Sequence, residues 1–164
     1  MWFARFPSHL SAPWVRAHGG NVWMAEDGSE ACAYLQQAPS APVLPEVVLV
    51  QLRPTLALPG EAQGREAPWH YVVATDVLPA QEADFNAWYD TEHLPGLAAV
   101  PGVVSAARYR VAEGSGPSHH VGYDLADRAA FNSPPWLAVR GTEWSSRVRP
   151  AFFNTRRTMY HRLA

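Results

Sequence analysis

Hydrophobic and polar positions alternate most clearly from His70 onward. His70-Tyr71-Val72-Val73-Ala74-Thr75-Asp76-Val77 is β-branched and compact, Pro79 closes it, and it reads as a strand. From Gln81 to about Ala99 the period changes: Phe85, Trp88, Tyr89 and Glu92 recur at i, i+3, i+4 and i+7 and share one helix face. Pro95 and Gly96 interrupt this helix before a short continuation, and Pro101-Gly102 turns the chain into a second strand over 103–111. A loop rich in Gly, Ser and Pro (113–118) leads into a third strand, 119–124. Asp124 or Asp127 can cap the next helix, and Ser133 before Pro134 marks a restart. Thr142 can cap a further turn through Trp144, Pro150 stops it, and residues 151–163 form a last strand. The order β-α-β-β-α-β is a ferredoxin-like unit, whose helices cover one face of its sheet and leave the other in need of a partner.

An internal comparison supplies that partner. Met1-Trp2-Phe3-Ala4-Arg5-Phe6 shares its Ala-Arg-aromatic pattern with Ala107-Arg108-Tyr109, and residues 21–27 resemble 120–124 with the acid-capped helix that follows. A helix over 29–37 and a strong strand over 46–53 complete a truncated second copy, ββαβ, without the first strand and first helix. An unrelated extension that merely covers the sheet is the other reading. The expected division is 1–53 truncated repeat, 54–69 linker with Gly60 and Gly64, and 70–164 complete unit. The fold class is therefore α+β: a ferredoxin-like βαββαβ unit preceded by a truncated ββαβ repeat, forming an α+β barrel. An incomplete barrel leaves strand edges uncovered, which predicts a homodimer.

Composition narrows the partners. The chain has 164 residues, 48% of them hydrophobic, enough to bury a core. The formal net charge is −2. Arg147, Arg149, Arg156, Arg157 and Arg162 cluster near the end, but acidic residues balance them elsewhere, so they read as a solvated surface with ion pairs rather than a phosphate or nucleic-acid site. A single cysteine, Cys32, allows neither an intrachain disulfide nor a cysteine-built metal site, and reads as a small buried thiol on a helix. No apolar run is long enough to span a bilayer and no signal-peptide pattern is present, so a cytoplasmic protein with no membrane partner is expected.

Phe85-Asn86-Ala87-Trp88-Tyr89-Asp90-Thr91-Glu92-His93-Leu94-Pro95, followed by Val100-Pro101-Gly102-Val103 and Ala106-Ala107-Arg108-Tyr109, resembles the dimeric α+β barrel superfamily, close to its EthD-like group. The stretches from Ser133 to Val139 and from Trp144 to Arg147 also look like the second half of such proteins. The resemblance implies two ferredoxin-like units packed sheet against sheet. It also implies a choice among metal-free monooxygenases, lactone isomerases, polyketide cyclases, haem-degrading enzymes and uncharacterised proteins.

Asn86, Tyr89 and His93 lie at i, i+3 and i+7 and line one flank of the motif helix. The imidazole of His93 can move a proton at neutral pH, and the phenol of Tyr89 one turn earlier can orient a substrate oxygen. His93 and Tyr89 are thus candidate catalytic residues, and Asn86, Trp88, Arg108, Trp136 and Trp144 candidate substrate contacts. Arg108 is also a plausible partner for a partly buried Glu92. The bland alternative makes His93 a cap for the helix end and Trp88 with Phe85 simply core. His119 and His120 point to opposite faces of a strand, so at most one could join His93 and Glu92 in a metal or haem site, which the spacing does not favour. The leading expectation is an enzyme that uses no cofactor and acts on a small apolar or aromatic compound. A non-catalytic binding or assembly protein and a haem-binding protein are the alternatives.

Overall fold

The computed structural model describes all residues except 20, 40–42 and 164. In chain order the elements are β1 (Trp2–Pro7), α1 (Ser11–His18), β2 (Val22–Ala25), β3 (Glu30–Leu35), β4 (Val48–Pro59) and β5 (Trp69–Val77). Next come α2 (Glu82–Trp88), a π-helical turn (Tyr89–His93), α3 (Leu94–Ala98), β6 (Val103–Gly114), β7 (His119–Leu125), α4 (Pro134–Arg140), α5 (Glu143–Val148) and β8 (Phe152–Arg162). The strands close into one barrel in the order β1-β3-β2-β8-β5-β7-β6-β4, with β4 returning to β1, and every pairing is antiparallel. The α+β barrel is the architecture expected from the sequence.

Strand alternation sorts the side chains. Phe3, Cys32, Val50, Leu52, Val72 and Tyr160 pack together inside the barrel. Outside, the helices of the second half cover Tyr71, Val73, Val121 and Tyr123 with Phe85, Trp88 and Trp136. In the first half α1 covers Ala4, Phe6, Ala31 and Ala33 with Trp14. Buried Glu30 ties the halves together from within, accepting hydrogen bonds from Arg5, Arg156 and Tyr160.

The two halves share one strand order. β8-β5-β7-β6 is fourth, first, third, second in the later unit, and β4-β1-β3-β2 repeats it in the earlier one. The earlier half therefore keeps its first strand and first helix, contrary to the expected ββαβ pattern, and has no helix between β3 and the start of β4 among the described residues. Residues 29–37 form no helix. Glu30, Cys32 and Tyr34 alternate with Ala31 and Ala33 in β3, and Asp27 accepts from the Ser29 amide in the tight turn before it. The alanines imitate helix composition, but successive side chains enter opposite cores, Cys32 inside the barrel and Ala31 and Ala33 beneath α1. Cys32 is buried as expected, on a strand rather than a helix. The expected linker is also shorter, because β4 runs on to Pro59 and pairs with β6 throughout. Closure inside one chain pairs the strand edges that were the reason for expecting a homodimer.

Candidate functional site

The site begins with a register shift in the motif helix. Residues 89–93 form a π turn, with the Leu94 amide donating to the Tyr89 carbonyl five residues back. Pro95 has no amide with which to bond the Thr91 carbonyl, and Thr91 turns its own hydroxyl to the Ala87 carbonyl at 2.7 Å. The extra residue in the turn moves the buried face by one position. His93 becomes buried where regular periodicity places Glu92, and its ring stacks on Trp88 with centroids 4.1 Å apart and planes at 23°. Glu92 swings toward α5 and accepts a hydrogen bond from Thr142, the residue that caps that helix. π turns of this kind gather at functional positions.

Under the turn lies a small cavity between the motif helix, the outer face of the sheet and α4. Trp88, Tyr89 and His93 line it from the helix, Tyr71 and Tyr123 from β5 and β7, and Trp136 from α4. Arg140, Arg149 and Arg157 stand around it with Phe152. Its volume of about 30 Å³ is room for one or two waters. Drug-sized ligands occupy roughly 300–1,000 Å³, so any ring-sized ligand enters only as side chains at the mouth swing aside.

Electrostatics there favour neutral groups. Burial, reinforced by the charges of Arg140 and Arg149, pushes His93 down to about 3, so its imidazole is uncharged at neutral pH. Its Nδ1 atom is buried without a hydrogen-bond partner, as is the Tyr123 hydroxyl. Burial raises Tyr71 and Tyr123 and pushes Tyr89 up to about 12, against the opposing charge of Arg108 on Tyr89. The cavity thus offers a neutral imidazole and protonated phenols: hydrogen-bond donors and acceptors rather than a strong base.

Of the residues singled out from the sequence, Tyr89, His93, Trp88 and Trp136 meet at this cavity. Asn86, Arg108 and Trp144 do not line it. Arg108 lies buried over the rings of Tyr89 and Phe85 and donates to Asp90 and Asn86, so its partner is Asp90 and not Glu92. Asp90 and Asn86 are i, i+4 neighbours, close enough to share one guanidinium. The Trp144 indole donates to Asp84, which also pairs with Arg147. Tyr71, Tyr123 and Arg140 are not singled out by the sequence reading, which takes Arg149 and Arg157 as solvated surface. The two tyrosines alternate onto the helix-covered face of their strands, a signal that was readable. The arginines converge only through the tertiary fold.

His119 and His120 are parted as strand alternation requires. His119 sits beneath α2, where Arg110 bonds its Nε2 at 2.7 Å, and burial with that charge pushes it down to about 4. His120 faces the barrel interior. Neither lines the His93 cavity, and among the described residues no three His, Cys, Asp or Glu side chains group as metal ligands. His120 instead ends a chain of hydrogen bonds, Ser105–Asp124–His70–Tyr34–His120, with links of 2.7–3.0 Å. The Asp124 carboxylate can only accept, so His70 donates to it from Nδ1 and turns Nε2 to the Tyr34 hydroxyl, which also meets Nε2 of His120.

No protein-family model matches the chain, and no curated protein matches it. Among solved structures it is similar to an anthrone oxidase-like protein, with 16% identity over 99% of this chain and 90% of that one and a TM-score of 0.65. It is also similar to a major regulator of staphylococcal pathogenesis (11% identity, all of both chains, TM-score 0.61). A haem-degrading enzyme from Listeria monocytogenes is a further neighbour, with 14% identity over 98% of this chain and 99% of that one and a TM-score of 0.55. At these identities the likeness is one of fold: a ferredoxin-type α+β barrel built over the whole length of a chain.

Proposed function

We propose that the protein is an EthD-like, cofactor-independent enzyme of the oxygenase, isomerase or cyclase type, acting on a small aromatic compound in the cavity beneath the π turn. The observation that carries this reading is the buried, unpartnered Nδ1 of His93 on an aromatic wall. A buried polar atom without a partner costs stability, and such atoms persist where a ligand or water supplies the missing bond. The depressed basicity of His93 assigns the imidazole a positioning part. It holds a substrate oxygen by hydrogen bonding while Tyr89 and Tyr123 donate to developing negative charge. The anthrone oxidase-like neighbour makes anthrone a reasonable probe.

The test measures tryptophan quenching and dioxygen uptake with anthrone. His93→Phe keeps the stack on Trp88 and removes both nitrogens. Quenching that persists with uptake reduced by about 100-fold is the expected result. Wild-type protein that neither binds anthrone nor consumes oxygen counts against an aromatic oxygenase. The small volume of the cavity favours one second reading, a non-catalytic binding or assembly protein. Quenching without uptake in the wild type would select it.

A further inference from the structure

The arginines divide into those paired with a carboxylate and those, Arg16, Arg53, Arg65 and Arg162 among them, with no ion pair among the described residues. Arg108, Arg110, Arg128, Arg147 and Arg156 each have a carboxylate partner. Arg140, Arg149 and Arg157 form no ion pair among the described residues, and no acidic side chain lines the cavity. They come from three separate elements: the end of α4, the turn after α5 and the middle of β8. Arg149 is half-buried and held by a bond from its Nε to the Ser145 carbonyl. Arg140 is half-buried as well and Arg157 is exposed, and all three line the one cavity that His93 and Tyr71 also line.

Three like charges gathered over an apolar floor repel one another and are left without a counterion by the protein itself. Planar guanidinium forks match a carboxylate in two-point contacts. The floor beneath them is made of flat rings, Trp88, Trp136 and Phe152, and His93, whose Nδ1 has no hydrogen-bond partner, lines the cavity beside them. An anion alone would leave that floor unused, and a neutral ring would leave the arginines unpaired.

We propose that the ligand of this cavity is an aryl carboxylate, its carboxylate held by Arg140, Arg149 and Arg157 and its ring directed toward the aromatic floor. This rests on the cavity being the binding site and adds the class of ligand. Entry displaces the long arginine side chains, which are the most easily moved part of the wall, and the carboxylate then fixes them in place.

The test titrates the protein calorimetrically with 2-naphthoate, its neutral analogue 2-naphthamide and inorganic phosphate. Naphthoate binding at least about tenfold tighter than the amide, a difference of about 1.4 kcal/mol, is expected. That advantage should shrink in Arg140→Gln, Arg149→Gln and Arg157→Gln, with amide affinity unchanged in each. Phosphate should not compete at equal concentration. Equal affinity for acid and amide in the wild type would overturn the carboxylate assignment while leaving the aromatic cavity standing. If neither ring compound binds, the cavity reading and this inference fail together. Phosphate that competes as well as naphthoate would make the mouth a general anion site and overturn the aryl class. The acid–amide comparison uses wild-type protein, so it stands even if an arginine variant folds poorly.

Discussion

His93, His119 and His120 are buried, and burial is the leading reason that each is harder to protonate in the folded chain than in the unfolded one. Their folded values are about 3, 4 and 3 against an unfolded value of 6.5, so the unfolded chain takes up protons first as pH falls. Their stabilising effect is complete above about pH 6.5 and declines below it. By pH 5 the loss is about 2 kcal/mol for each. Below about pH 4 the depressed carboxyls of Asp76 and Asp124 add a loss of the same sign. Urea midpoints measured at pH 7.5 and pH 5 should fall steeply together with pH, and a flat profile would contradict neutral burial of these rings. Gly122 carries a second expectation. A Cβ there would lie 2.9 Å from Cε1 of His70, so Gly122→Ala pushes the imidazole off Asp124 and destabilises the chain by about 1–3 kcal/mol in the same assay. Much at this scale was readable from the sequence. Trp88, Tyr89 and His93 could be named from helix spacing alone. Arg140 and Arg157 could not, because they lie on different elements whose approach is decided by packing.

Regular helix periodicity put Glu92 on the buried face, and one extra residue in the π turn reversed that. The first half of the molecule shows what the helix looks like without the extra residue. In α1, Trp14 and His18 lie four apart and their rings meet at 4.3 Å; in the later helix Trp88 and His93 lie five apart and meet at 4.1 Å. An α-helix brings residues four apart together, and a π turn does the same for residues five apart. Thr91 is exposed, and its one side-chain bond is to the helix carbonyl at Ala87. Its deletion should therefore restore a plain α-helix and keep the Trp88–His93 stack, changing stability by no more than about 1 kcal/mol. Near-ultraviolet circular dichroism and thermal melts check this, and loss of the folded spectrum would mean that the turn is required for folding. The other misread element, β3, failed for a related reason: six residues are too few for alanine-rich composition to be told from strand alternation.

At the scale of the molecule, both seams between the halves follow one rule. The fourth strand of each half pairs with the second strand of the other, β4 with β6 and β8 with β2. Residues 70–164 made alone would expose β6 and β8 together with the inner face of their sheet. Two such fragments can satisfy the same rule with each other, so sedimentation should find the fragment as a dimer, and a stable monomer would show that the seams contribute little. That both halves would meet in a barrel was visible from the one-sided helix cover of the second half. Which helix the first half lacks was not, because α1 is short and begins Ser-Ala-Pro, a sequence that also suits a turn.

Closure within a single chain also sets the arithmetic of ligand uptake. A barrel assembled from two identical chains holds its pockets in equivalent pairs, and one ligand arriving can alter the welcome given to the next. Here the halves are covalently joined yet unlike, and among the described residues the arginine-rimmed cavity belongs to the later one. Saturation of that cavity should then follow a simple hyperbola at one equivalent per chain, with a Hill coefficient of about 1. The earlier half, relieved of duplicating the site, is free to change as long as it keeps its four strands in place.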